Sequence, residues 1–89
     1  MSVAKYLVMA RRTPGFDASV IEPHREFLRD LLAKGQLQES GGFSDGTGGA
    51  YVVLAENLDA ATAIVHSDPL HTMGVSELTI HEWTITVSA

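Results

Sequence analysis

The chain has no cysteine among its 89 residues. That absence excludes a disulfide framework, a thiolate metal site and a cysteine nucleophile. A chain of this length buries only about 60–65% of the surface that its unfolded state exposes, so a monomer would be marginally stable. We expect a single domain over residues 1–89, and oligomerisation is the remaining common source of stability.

Basic residues are also few. Six Lys and Arg stand against eleven Asp and Glu, and the formal net charge is −5. They are scattered, with Arg11 and Arg12 as the one adjacent pair, so the composition does not favour binding to nucleic acid or to an anionic membrane surface. The first ten residues contain an apolar run of only about five, too short for a signal-peptide core or a membrane span. We expect a soluble, cytoplasmic protein.

Hydrophobic periodicity divides the chain into six segments. Residues 3–10 alternate as a strand does, whereas residues 18–34 carry an apolar stripe at three- and four-residue spacing, as a helix does. The order strand, helix, strand, strand, helix, strand predicts an α+β, ferredoxin-like βαββαβ fold, with a four-stranded antiparallel sheet and two helices on one face. The predicted strands are 3–10, 36–43, 50–55 and 76–87, and the predicted helices are 18–34 and 58–67.

The first and third predicted strands are apolar on both faces. Two helices on one side of the sheet would cover only one of those faces. An uncovered apolar face of several hundred Å² is unusual on a monomer. We therefore expect a homodimer in which two sheets pack against each other across a two-fold axis.

Asp68 is the most informative carboxylate, and His24 is its natural partner. Asp68 follows the predicted second helix, where the helix dipole disfavours an anion by about 0.3–1 kcal/mol. It is either a functional group or a turn-forming residue before Pro69. His24 lies in the apolar stripe of the first helix, and it is either an acid–base group next to Asp68 or a core histidine bonded to a backbone carbonyl.

The remaining histidines and the glycines favour no cofactor. His66 and His71 flank Asp68, but their spacing crosses a proline and matches no compact set of metal ligands, so we expect no metal site. His71 falls in a predicted loop and is a candidate for a pocket wall. No helix follows the glycine-rich segment at 41–49 and no lysine is near it, so no phosphate-binding loop is indicated, although Gly41 and Gly42 would let a ligand approach the backbone closely.

The order of these features resembles that of the YciI-like (YCII-related) proteins, which belong to the dimeric α/β-barrel superfamily. The resemblance covers nearly the whole chain. The family usually has Gly-Pro at positions 41–42 and an aromatic residue at position 70, where this chain has Gly-Gly and Leu. The resemblance rests on His24 with Leu28, Leu31 and Gly35 behind it, Gly41-Gly42, Gly48-Gly49, the segment Asn57-Leu58-Asp59-Ala60-Ala61, the segment Ser67-Asp68-Pro69-Leu70, and Trp83.

The resemblance implies a homodimeric ferredoxin-like barrel with His24 and Asp68 as an acid–base pair that needs no cofactor. One characterised branch of the family removes chloride from a chlorinated hydroxyhydroquinone. Our leading hypothesis is therefore a small lyase or isomerase that acts on a small aromatic or enolic molecule. A non-catalytic dimeric protein that binds a small ligand is the alternative, and oxygen-dependent monooxygenation is weaker because nothing in the sequence requires oxygen chemistry. The candidate pocket residues are Tyr6, Gly41, Gly42, His71 and Trp83.

Overall fold

The strands and helices follow one another in the order that the hydrophobic pattern predicts. A computed structural model describes residues 2–89. The helices pack on one face of a single sheet, which confirms the predicted α+β, ferredoxin-like fold. The strands are β1 (Ala4–Arg12), β2 (Leu37–Gly42), β3 (Gly48–Ala55) and β4 (Ser76–Glu82), and the helices are α1 (Ile21–Ala33), α2 (Leu58–Val65) and α3 (Pro69–Thr72), with a 3-10 turn at Ala18–Val20 before α1.

The sheet is antiparallel throughout and has the strand order β2-β3-β1-β4. The first strand therefore lies inside the sheet, between β3 and β4. In the register of these pairs, Leu7 lies opposite Val52 on one side and opposite His81 on the other. Because side chains alternate along a strand, this register fixes which residues meet the helices and which point away from them.

The core lies between the sheet and the helices. Tyr6 and Val8 of β1 and Val53 of β3 are at most 1% exposed. Helix α1 contributes Leu28 and Leu31 to the same cluster. One face of each strand and one stripe of each helix are thus removed from water, which is the main source of stability in a domain of this size.

Capping side chains lie at the predicted helix starts, although two helix ends differ from the prediction. Residues 18–20 form a 3-10 turn before α1, and α2 ends at Val65 rather than at residue 67. The side chain of Asp17 accepts a hydrogen bond from Ser19 N (2.9 Å), and that of Asn57 accepts one from Ala60 N (2.8 Å). Gly35, with φ of 73°, follows the last turn of α1 in the left-handed conformation that glycine tolerates.

Among residues 2–89, no helix has both the length and the apolar character needed to cross a bilayer.

The last strand is shorter than predicted. It ends at Glu82 rather than at Val87. Its neighbour β1 begins at Ala4, and the backbone N–H of Trp83 donates to the carbonyl of Lys5 (2.8 Å) at the end of this pairing. Within residues 2–89 the pairing of β1 with β4 stops at Glu82, so the apolar residues up to Val87 do not extend the strand.

The segment after α2 also differs from the prediction. Instead of a loop, Pro69–Thr72 form the short helix α3, and Asp68 is its N-cap. The carboxylate Oδ1 accepts a hydrogen bond from Leu70 N at 2.9 Å, and proline is well suited to the first helical position because its φ is already fixed. Asp68 is therefore placed favourably at the start of one helix, as well as after the end of another.

The sheet face opposite the helices is apolar at its centre. Leu7 and Met9 of β1 and Val52 and Leu54 of β3 lie on this face. Leu7 is directly opposite Val52, which is already buried within one chain. Met9 is 42% exposed. The helices, which pack on the other side of the sheet, do not cover this face.

Candidate active site

The structure brings together the two residues that the sequence singled out. His24 is on α1, and Asp68 lies at the corner between α2 and α3. His24 Nδ1 and Asp68 Oδ1 are 2.9 Å apart. The Asp68 side chain has no exposed surface, whereas that of His24 is 19% exposed. The pair therefore has a buried carboxylate behind a partly accessible imidazole.

Asp68 accepts hydrogen bonds from three different elements. His24 and the backbone N–H of Leu70 both reach Oδ1, and the hydroxyl of Tyr51 donates to Oδ2 at 2.8 Å. An ionised carboxylate only accepts hydrogen bonds, so all three contacts suit the charged form. Burying a carboxylate is costly unless its oxygens are satisfied in this way. The network therefore explains how a fully buried Asp is compatible with a stable fold.

Tyr51 is the member of this network that sequence reasoning missed. It lies on β3 and points toward the helices, and its side chain is 2% exposed. Burial and the negative charge of Asp68 raise the pKa of Tyr51 far above its usual value, so the phenol stays protonated and acts as a donor. A buried tyrosine normally needs a partner for its hydroxyl, and this requirement is the signal that the sequence offered.

The contacts of His24 define which ring nitrogen is available to another molecule. Because Nδ1 faces the carboxylate, we assign the N–H of the neutral ring to Nδ1, which leaves the lone pair on Nε2. Nε2 has no hydrogen-bond partner within residues 2–89. The rings of Phe27 and Tyr51 flank the imidazole, with centroids 6.5 and 5.9 Å away. The imidazole is thus held in one orientation.

His24 lines a cavity of about 360 Å³. This volume falls within the range of small-molecule pockets, about 300–1,000 Å³. The apolar part of its lining includes Leu28 and Leu70, and the polar part includes Ser40 and Ser76. A small molecule with both apolar and polar groups fits this lining.

Glycine backbone forms one wall of the cavity, where β2 and β3 approach each other and β1. A Cβ atom at Gly48 would overlap the carbonyl oxygen of Ala10, and one at Gly49 would overlap that of Gly41. Glycine at these positions therefore allows the strands to approach closely. Gly41 and Gly42, which the sequence suggested as pocket residues, both line the cavity.

The other suggested pocket residues lie elsewhere. Tyr6 is buried in the core, and its hydroxyl is 3.4 Å from Glu82 Oε1. His71 is on the outer surface of α3, where its ring stacks on that of His66 with centroids 4.3 Å apart. Trp83 follows β4 opposite Lys5 and is 44% exposed. None of these three residues lines the cavity that contains His24.

The acidic and histidine side chains of residues 2–89 do not form a metal site. No group of three or more of them comes together with the geometry of ligands. His66 and His71 are stacked with an angle of 9° between their ring planes, so the two rings face each other.

The structure is a ferredoxin-like sheet whose helices hold a His–Asp pair at the wall of a small cavity. These features define a class of small α+β protein. The relatives of this chain identify the family. Residues 4–84 match the YCII-related domain, and the chain belongs to that family. The chain is 49% identical over 78 residues to the uncharacterized protein YjpA of Bacillus subtilis (strain 168), an alignment that covers 88% of this chain and 92% of YjpA.

Solved structures share the fold. The dehydrochlorinase TftG of Burkholderia phenoliruptrix AC1100, which acts on 5-chloro-2-hydroxyhydroquinone, matches with a TM-score of 0.69 and 23% identity over 90% of this chain and 93% of TftG. That structure is a complex with 2,5-dihydroxybenzoquinone. A hydroxynitrile lyase from Passiflora edulis matches with a TM-score of 0.44 and 14% identity over 96% of this chain and 98% of the lyase. The TftG match supports the ferredoxin-like fold.

The pKa of Tyr51 predicts how stability depends on pH. In the unfolded chain a tyrosine loses its proton near pH 10, but folded Tyr51 keeps it to higher pH. Below about pH 10 Tyr51 makes its full contribution to the free energy of unfolding. Above that pH the contribution falls by about 1.4 kcal/mol per pH unit. We expect the free energy of unfolding, measured with urea, to fall less steeply between about pH 10 and 11 in Tyr51→Phe than in the wild type.

The same variant has a second effect at neutral pH. Removing the hydroxyl leaves Asp68 Oδ2 without its buried donor, which we expect to cost about 1–3 kcal/mol. Tyr6, whose pKa is also raised by burial and by Glu82, remains in the variant and serves as the internal reference. Equal slopes with pH in both proteins would contradict the assignment of Tyr51 as a protonated donor to Asp68.

Proposed function

We propose that this protein is a small acid–base enzyme, a lyase or isomerase, which acts on a small aromatic or enolic molecule in the cavity beside His24. The observation that carries this proposal is the 2.9 Å contact between His24 Nδ1 and the fully buried Asp68. His24 is the proposed general base and acid. Asp68 acts through His24 and is a positioning residue.

The proposed step needs only groups of this chain and the substrate. The lone pair on His24 Nε2 takes a proton from a C–H or O–H bond of the substrate, and the electron pair of that bond stays on the substrate. In an elimination, this pair moves to form a double bond and expels a leaving group from the neighbouring position. In an isomerisation, the imidazolium returns the proton to a different atom. Asp68 stabilises the imidazolium while it exists.

The shared fold suggests which substrates to test first. TftG removes chloride from a chlorinated hydroxyhydroquinone and binds a dihydroxybenzoquinone, both of them small rings with oxygen substituents. A cavity of about 360 Å³ with apolar and hydroxyl groups in its wall can hold a ring of that size. Quinols and enol lactones are therefore the first substrates in a screen.

The cytoplasmic location expected from the sequence stays a prediction.

We also propose that the protein is a homodimer formed through the open face of the sheet. Leu7, Met9 and Leu54 lie on that face, away from the helices, and each keeps part of its surface exposed. A second copy of the chain offers the same apolar surface, so one two-fold contact covers both. The short length of the chain adds support, because an 89-residue monomer has little core of its own.

The test of the enzyme proposal is a substrate screen with the wild type and His24→Ala. Loss of a general acid–base group typically lowers the rate by about 10²–10⁴-fold, and we expect this decrease in kcat for any substrate that the wild type converts. His66→Ala is the matched control because His66 is exposed and stacks on His71, outside the cavity. Its kcat should equal that of the wild type.

Two results would count against the enzyme proposal. If His24→Ala converts a substrate as fast as the wild type does, His24 has no role in the chemistry. If the wild type converts none of the quinols and enol lactones but binds them in the cavity, the non-catalytic ligand-binding alternative is favoured. Binding at the cavity is measured by NMR shifts of residues around His24.

The dimer is tested by mass in solution. Light scattering at micromolar concentration should give twice the 9.6 kDa of one chain. Met9→Glu places a charge on the sheet face and should give a monomer, because burying an unpaired carboxylate in an apolar interface is costly. Leu32→Glu is the matched control, since Leu32 is 58% exposed on α1 and should leave the mass unchanged. A monomeric wild type would exclude the proposed dimer.

A further inference from the structure

We propose that the ligand of the cavity is a small organic anion with an apolar body, and that Arg12 and Arg25 bind its charged group. This inference rests on the proposed function for its chemistry, because it names the substrate class of the same site. The binding itself can be measured without turnover. Two observations support it: the charges of the cavity wall, and the absence of ion pairs to either arginine within residues 2–89.

The charge of the cavity wall is opposite to that of the chain. The protein has eleven acidic and six basic residues. Arg12 and Arg25 nevertheless both line the cavity, and within residues 2–89 no Asp or Glu lines it. The charges of the wall are thus the reverse of the overall composition, in which acidic residues outnumber basic ones. The distribution instead favours a negatively charged ligand.

Both arginines are free to bind a ligand. Neither Arg12 nor Arg25 forms an ion pair within the described part of the chain, whereas Arg29 on the same helix as Arg25 pairs with Glu22 at 2.7 Å. The Arg12 guanidinium lies 4.2 Å from the centroid of the Phe16 ring. This stacking orients the guanidinium but leaves its N–H groups free, and such groups form charge-assisted hydrogen bonds with carboxylates.

The two arginines reach the cavity from different walls. Arg12 is the last residue of β1 and lies opposite Ser76 of β4. Arg25 follows His24 directly on α1. An anionic group bound by both would lie between the sheet and the helix, with the apolar part of the ligand against Leu28 and Leu70.

The negative charge of Asp68 does not outweigh the two arginines at the cavity. Its single carboxylate contacts His24, Tyr51 and Leu70 and does not line the cavity, whereas two guanidinium groups do. When His24 takes a proton from a substrate that is already an anion, a second negative charge develops on the substrate. Two guanidinium groups at the same cavity stabilise that charge, so binding and chemistry both benefit from them.

The test is an NMR titration of the full chain with benzoate and with benzamide, its neutral counterpart of nearly the same shape. Benzoate should shift resonances of residues around the cavity and bind at least about tenfold more tightly than benzamide. Its affinity should fall as salt is raised, because salt screens charges that are exposed to solvent. Arg12→Gln and Arg25→Gln should each weaken benzoate binding about tenfold.

Two matched variants control for the loss of one positive charge. The first variant is Arg11→Gln. Arg11 is the neighbour of Arg12 but lines a separate depression, together with Met9 and Phe43. Arg29→Gln changes an arginine one helical turn beyond Arg25 that is outside the cavity. Both controls should bind benzoate within about twofold of the wild type, since neither side chain lines the cavity and exposed charges interact only weakly through water.

The possible failures are distinct from those of the enzyme proposal. Equal affinity for benzamide and benzoate, equal loss in the control variants, or no benzoate binding at about 10 mM would each overturn the anion site. If the anion binds as expected and no substrate is converted, the anion site stands and the enzyme proposal fails. If neutral substrates are converted with dependence on His24 but not on Arg12 or Arg25, the enzyme proposal stands and the anion site fails.

Discussion

A carboxylate with no exposed surface lies where three elements of this small fold meet. Asp68 caps α3, accepts a hydrogen bond from Tyr51 of β3, and contacts His24 of α1. Removing any one donor would leave the buried carboxylate with fewer hydrogen bonds, which is costly. The hydrogen bonds of Asp68 therefore help to hold the helices and the sheet in one relative position. The same contacts orient the imidazole. The carboxylate that caps α3 is therefore also the group that contacts His24, the proposed base.

The cavity beside this network combines two kinds of environment. Helix α1 provides His24 at one wall, and the end of β1 and the glycine backbone of β2 and β3 provide another. Strands can approach so closely there because Gly48 and Gly49 have no side chains. The space that results is small, partly apolar and bordered by the guanidinium groups of Arg12 and Arg25. The fold thus places His24, Arg12 and Arg25 at the same cavity.

Much of this arrangement follows from local sequence patterns. The order of strands and helices was predictable from the hydrophobic periodicity. Which face of β1 and β3 meets the helices was not, because both faces of these strands are apolar. The meeting of His24 and Asp68 was a hypothesis that spacing left open and that the family resemblance favoured. Tyr51 was not predicted because its hydroxyl partner is 17 residues away and depends on how α3 packs on β3. The positions of His71 and Trp83 depended on a short helix and a strand end that the pattern did not show.

The proposed role of His24 as the base depends on the orientation of its ring. Nitrogen-15 NMR of the imidazole, assigned by comparison with His24→Gln, identifies which ring nitrogen carries the proton in the neutral form. Hydrogen bonding of Nδ1 to Asp68 predicts a proton on Nδ1 and a free lone pair on Nε2. A neutral ring protonated on Nε2 would contradict it, because Asp68 would then face a lone pair and the ring would present no base to the cavity.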